Sequence, residues 1–219
     1  MVTEIWVGQF SIVGGEAREQ GPWIGMYPAR SNTLGADLYV VVEPALPGSE
    51  EFCPSLVEVI GRLFRLQRSS LTGALLASLK AAHERLRDWN QKSLREHQVG
   101  AGASCLALRG AQAYLAQAGP ALAYHRRQGQ TLRLSPEDET AEPIGTAAEF
   151  YPRFTRHELA AGDALLLVTS SLPSVAAEEI VEGVLALPAQ DILAELFLQV
   201  RHLPDFAALL IAFLPGPPR

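Results

Sequence analysis

The residues able to do chemistry in this sequence are few and poorly grouped. Its five histidines (His83, His97, His125, His157 and His202) are scattered with no paired spacing and read as exposed or incidental. His157-Glu158 starts as a zinc-hydrolase helix would, with a glutamate base between two metal-binding histidines. Ala161 stands where the second histidine is required. Cys53 and Cys105 are the only cysteines and show neither a CxxC nor a Cys/His zinc spacing, so they read as ordinary thiols of a reducing compartment. No GxGxxG follows a strand, and the sequence has no GxxxxGK[ST] loop and no G-x-S-x-G elbow. Dinucleotide binding, P-loop chemistry and the serine-hydrolase elbow are thereby set aside. Arg62, Arg65 and Arg68 recur at a spacing that can share one helix face, which reads as a solvated face, with an anion site as the alternative.

The elements that must position any site are easier to read. Residues 4–13 are rich in β-branched and aromatic types and break at Gly14-Gly15, as a strand does before a turn. The apolar run 38–42 predicts a buried strand ending at Glu43-Pro44, where proline stops ladder donation. Leu56, Val59, Ile60 and Leu63 fall at helical spacing behind Pro54, a good first-turn residue. Leu75, Leu79, Ala82, Leu86 and Trp89 make a longer stripe opposite Lys80, Glu84, Arg87 and Asp88, the pattern of a long amphipathic helix. After Gly100 short strands and tight turns take over, at 104–108, 113–118, 122–126 and 131–134. Strands at 154–159 and 164–168, helices at 176–187 and 189–202, and a last strand at 207–213 complete the pattern. Strands and helices gathered in separate blocks predict an α+β fold. No linker interrupts 1–214, which reads as one domain, followed by a stiff proline-rich tail at 215–219.

Composition narrows the partners. The 219 residues are 48% hydrophobic and 19% charged, enough apolar material for a core and against disorder. A net charge of −6 excludes a general nucleic-acid or anionic-membrane binder, which would present a basic stripe. No apolar run approaches the ~18 residues of a membrane span, and Met1-Val-Thr-Glu-Ile-Trp6 lacks the basic start and apolar core of a secretory leader. A cytoplasmic protein is expected. Only Lys80 and Lys92 are lysines against many arginines, a composition suggesting a GC-rich bacterial source.

From Gly102 onward the sequence resembles the metal-dependent serine/threonine phosphatases of type 2C, the PPM family. The resemblance lies in Gly102-Ala-Ser-Cys-Leu-Ala-Leu108, then 113–124, Gly129 and Leu134-Ser-Pro-Glu-Asp138. It continues through Ile144-Gly145, Gly162-Asp-Ala-Leu-Leu-Leu-Val-Thr-Ser-Ser-Leu172, Glu178-Glu-Ile180 and Pro204-Asp-Phe206. Order and spacing match over nearly the whole chain, including the two helices before Gly100. The resemblance implies a four-layer α-β-β-α sandwich: two antiparallel sheets packed face to face and flanked by helices. It also implies a pair of Mg²⁺ or Mn²⁺ ions at one end, where two hard cations activate a bridging water for attack on a phosphoester.

The residues that should hold those ions are largely replaced. Where the family has Asp-Gly-x-Gly-Gly, this chain has Glu43-Pro44-Ala-Leu-Pro47, so Pro44 takes the place of a glycine whose carbonyl ligates metal. The aspartate of Ser-Asp-Gly corresponds to Ser170, and Asp-Asn becomes Asp205-Phe206. The early Arg…Asn-Glu-Asp matches Arg18-Glu-Gln-Gly-Pro22, with Pro22 in place of a carboxylate, and Gly-Asp-Ser-Arg has become Gly119-Pro-Ala-Leu122. Glu43, Ser170, Asp205, Pro22 and Pro44 are therefore vestigial metal-site positions, with no catalytic residue among them and no metal or other cofactor expected. A weak single site at Glu43 and Asp205 is the most they could form. The expectation is a catalytically inactive module that binds a protein partner. The alternative is a weakly active or altered phosphatase using Mn²⁺ or Mg²⁺. A phosphopeptide reader would need a positive pocket at the old site, to which Arg18 and Arg30 alone could contribute.

Overall fold

Alternating and continuous apolar runs become strands, and the two 3.6-period stripes become helices packed on them. The computed structural model describes residues 4–135 and 142–214, the side chain of Ser31 excepted. In chain order the strands are β1 (Glu4–Val13), β2 (Glu16–Arg18), β3 (Ile24–Tyr27) and β4 (Asp37–Pro44). Helices α1 (Cys53–Leu66) and α2 (Leu71–Asn90) follow, then β5 (Ala101–Arg109), β6 (Gln112–Ala118), β7 (Leu122–Arg127), β8 (Gln130–Arg133), β9 (Arg153–Glu158) and β10 (Ala164–Val168). Helices α3 (Glu178–Leu185) and α4 (Ala189–Val200) precede the closing β11 (Phe206–Leu214). Residues 136–138 of the stretch matched above and the expected tail at 215–219 lie outside the described residues.

The chain divides into two compact units. The first joins Met1–Gly21, Leu122–Pro136 and Leu159–Arg219 and carries a six-stranded sheet in the order β2-β1-β11-β10-β7-β8. All its pairings are antiparallel. Helices α3 and α4 pack on this sheet, burying Val181, Ile192 and Leu196 against Leu166, Phe206 and Leu210. Each such side chain contributes about 1.5–3 kcal/mol when removed from water.

The second unit, Pro22–Ala121 with Glu137–Glu158, carries a five-stranded antiparallel sheet, β3-β4-β5-β6-β9. Helix α1 lies on β3 and β4, and α2 on β5 and β6. The buried face of α1 is Leu56, Val57, Ile60 and Phe64, turned slightly from the predicted stripe, so that Val59 and Leu63 are only half-buried. On α2 the stripe holds at Leu75, Leu79, Ala82 and Leu86. Trp89, by contrast, is 51% exposed and packs edge-on against Phe52, while its neighbour Asn90 turns inward. Ser70 caps α2 by accepting the Gly73 N–H at 3.1 Å. Among the described residues no helix is long and apolar enough to cross a membrane.

Candidate functional site

Strand β4 does not stop before Glu43-Pro44. It pairs with β5 through Glu43↔Gly102 and Pro44↔Ala101, and the ladder goes on as Ala45 N–H donates to Gly100 C=O at 2.8 Å. Proline is tolerated at this last strand position because it withholds a single N–H, and donation to β5 resumes at Ala45. Glu43 and Pro44 thus close the strand, and the chain bends and turns over residues 45–48. Glu43 is buried, with its side chain against Gly102 and close enough to Cys53 for its charge to act on that thiol. Burial first, and the Glu43 charge second, push the Cys53 thiol up to about 12, so it stays protonated and inert.

Pro22 is exposed at the start of the same unit, one residue before the buried Trp23, whose C=O accepts the Val42 N–H at 2.9 Å. Pro22, Trp23, Glu43 and Pro44 therefore meet at the neighbouring ends of β3 and β4. Trp23 gave no sequence signal of this placement, since a lone tryptophan between proline and isoleucine belongs to no periodic pattern.

Ser170 and Asp205 belong to the other unit, where they flank one rung of the β10–β11 ladder. Thr169 N–H donates to Ala207 C=O at 3.1 Å, and Ala207 N–H donates to the Thr169 hydroxyl at 3.4 Å. Ser170 is exposed and carries a neutral hydroxyl, not a carboxylate. Asp205 is already employed: its Oδ1 accepts the Gly14 N–H at 3.0 Å, and Pro204 C=O accepts the Gly15 N–H at 2.7 Å. Asp205 thus holds the Gly14-Gly15 turn of the β1–β2 hairpin. Arg18 on β2 is exposed and paired with Glu16 at 3.5 Å.

These residues do not fit a pair of hard divalent ions. Such ions require several converging carboxylates. Among the described residues no group of three or more histidine, cysteine, aspartate or glutamate side chains is placed to hold a metal.

Two of the five histidines, read from sequence as exposed or incidental, are buried. His83 on α2 is buried, accepts the Gly145 N–H on Nδ1 at 3.1 Å and stacks against Phe150 with ring centroids 4.6 Å apart. His125 on β7 is buried with Nε2 3.6 Å from Asp163 Oδ2. Burial, the largest cause for both, lowers their pKa below the ordinary 6.5; Arg87 adds to this at His83, and Asp163 partly opposes it at His125. The unfolded chain therefore binds more protons than the folded one below pH 6.5, so stability is full above that value and falls as the pH drops through it. Urea midpoints should fall between about pH 7.5 and about pH 5.5, with a shallower fall in His83→Gln. Equal midpoints at both pH values would contradict the assignment.

No protein-family model matches the sequence, and neither does any curated protein. Solved structures do match. PppA, described as a key regulatory component of T6SS in Pseudomonas aeruginosa, shares 18% identity at a TM-score of 0.71, over 96% of this chain and 98% of that one. A serine/threonine phosphatase of S. agalactiae matches at 16% identity and TM-score 0.75, over 95% and 99% of the two chains. The Mycobacterium tuberculosis serine/threonine phosphatase PstP/Ppp matches at 15% and 0.72, over 98% and 100%.

Proposed function

We infer that this chain, which has the α+β fold of the type 2C (PPM) serine/threonine phosphatases, has given up their chemistry and serves as a protein-binding or regulatory module. The observation that carries this reading is the employment of the last aspartate. Asp205 caps a hairpin turn through the Gly14 N–H, while Ser170 and Pro44 stand where the fold's ligands belong. Glu43 is drawn into a strand ladder and buried beside Gly102. A fold kept while several ligand positions are lost together is easier to reconcile with binding than with turnover. PppA, similar in structure, is described as a regulatory component, which lends support to a regulatory role. A cytoplasmic location belongs to the same proposal, supported by two buried free thiols, Cys53 and Cys105.

Metal-linked stability tests it. A ligand that binds only the folded state must stabilise it, by about 2.7 kcal/mol at about 100 times its Kd. A functional Mn²⁺ site would therefore raise Tm by several degrees at millimolar metal. The expected result is an unchanged Tm in Mn²⁺ and in Mg²⁺. A rise that Asp205→Ala removes would favour an altered single-metal phosphatase instead.

A further inference from the structure

The arginines singled out in the sequence do not form one stripe. Arg68 lies beyond the end of α1, whereas Arg62 and Arg65 are joined by Arg85 of α2 around a single cleft that Tyr27 and Glu58 also line. All three arginines are exposed, and no carboxylate of the described residues lies within ion-pairing distance of them. Three cations against one carboxylate is a local excess of positive charge on a chain whose net charge is −6.

The cleft is also held in shape. Tyr27 reaches from β3 across α1 and donates its hydroxyl proton to Val57 C=O at 2.9 Å. It can do so because residue 61, in mid-helix, is glycine: a Cβ there would collide with the Tyr27 ring. The ring supports Arg65, whose guanidinium carbon sits 5.3 Å from the ring centroid while Nε donates to Gly61 C=O at 3.2 Å. One face and one donor of Arg65 are thereby fixed, and its terminal nitrogens remain for a ligand. A guanidinium fixed in advance loses little freedom on binding.

We propose that this α1–α2 cleft docks an acidic, aspartate- or glutamate-rich segment of a partner protein, with Arg62, Arg65 and Arg85 as the carboxylate contacts. The proposal rests on the reading of the chain as a binding module and supplies the chemistry of its partner. Charges spread over two helices suit carboxylates spaced along a peptide, and Glu58 in the lining disfavours one compact dianion such as a phosphate group.

The test is fluorescence anisotropy with a labelled peptide of alternating glutamate and alanine, its glutamine–alanine counterpart serving as the uncharged control. Saturable binding is expected at about 50 mM salt and should weaken at about 300 mM. Arg62→Glu with Arg85→Glu should raise Kd at least about ten-fold, and the milder alanine pair should act in the same direction. Arg109→Glu, a reversal outside the cleft, should leave Kd unchanged. Unchanged Tm in each variant confirms that binding, not folding, was altered. Absent binding, equal binding of the glutamine peptide, equal loss in Arg109→Glu, or preferential capture by phosphatidylserine vesicles would each overturn the proposal. Phosphatase assays on the same samples keep the two readings apart, since failed docking leaves metal-dependent hydrolysis to be judged on its own.

Discussion

Alanine at Gly102 is expected to destabilise the protein by at least about 3 kcal/mol, or to prevent it from folding. Gly102 sits in β5 opposite Glu43, and the Gly119-Pro120 turn after β6 folds directly over it. A Cβ at Gly102 would land on the Pro120 carbonyl oxygen and press on the Glu43 side chain. The first obstacle is backbone and cannot rotate away. The second is the Cγ of the buried Glu43, which would have to shift within a packed surrounding. Gly183→Ala is the natural comparison, because nothing lies within 4 Å of a Cβ there and the residue is inside α3. That change should stabilise by about 0.5–1 kcal/mol. Urea unfolding of the two variants beside the parent measures both, and similar midpoints for the two would contradict the packing described.

Asn90→Ala carries the second large effect, a loss of about 3 kcal/mol. Asn90 is buried at the end of α2 and makes three hydrogen bonds. Its Nδ2 donates to Val99 C=O at 2.7 Å and to Gly145 C=O at 2.9 Å, and its Oδ1 accepts the Val99 N–H at 2.8 Å. Removing the side chain leaves those backbone groups buried without it. Gly145 would then be held by its N–H bond to His83 alone, beside the Ile144–Ala101 bridge. Tm should fall by roughly 6–12 °C, and amide exchange at Val99 should accelerate. A loss below about 1 kcal/mol would show that solvent replaces the amide at this position.

The elements with strong local patterns were legible in the sequence; the contacts that join them were not. The apolar runs of β4 and β10 and the α2 stripe through Leu86 are where periodicity places them. Strands β2 and β3 escape it, being three and four residues long with their pairing set by neighbours. The end of α2 shows the limit well. Hydropathy favours Trp89 for the core, yet Asn90 is the buried residue because its amide matches backbone groups as distant in sequence as Gly145. The candidate site divides in the same way. That Pro44 and Ser170 stand at positions matched to the family's ligand motifs was an expectation from the resemblance, which needs only residue types in order along the chain. That Glu43 joins a ladder and that Asp205 caps the Gly14 turn could not be read, because the first depends on register with Gly102 and the second on a partner 191 residues away.

Whether the chain retains any phosphatase chemistry is decided by hydrolysis of para-nitrophenyl phosphate in millimolar Mn²⁺. The expected rate is indistinguishable from buffer with metal, for the parent chain and for Asp205→Ala alike. Mn²⁺-dependent turnover by the parent chain, abolished by Asp205→Ala in a variant that still folds, would contradict it.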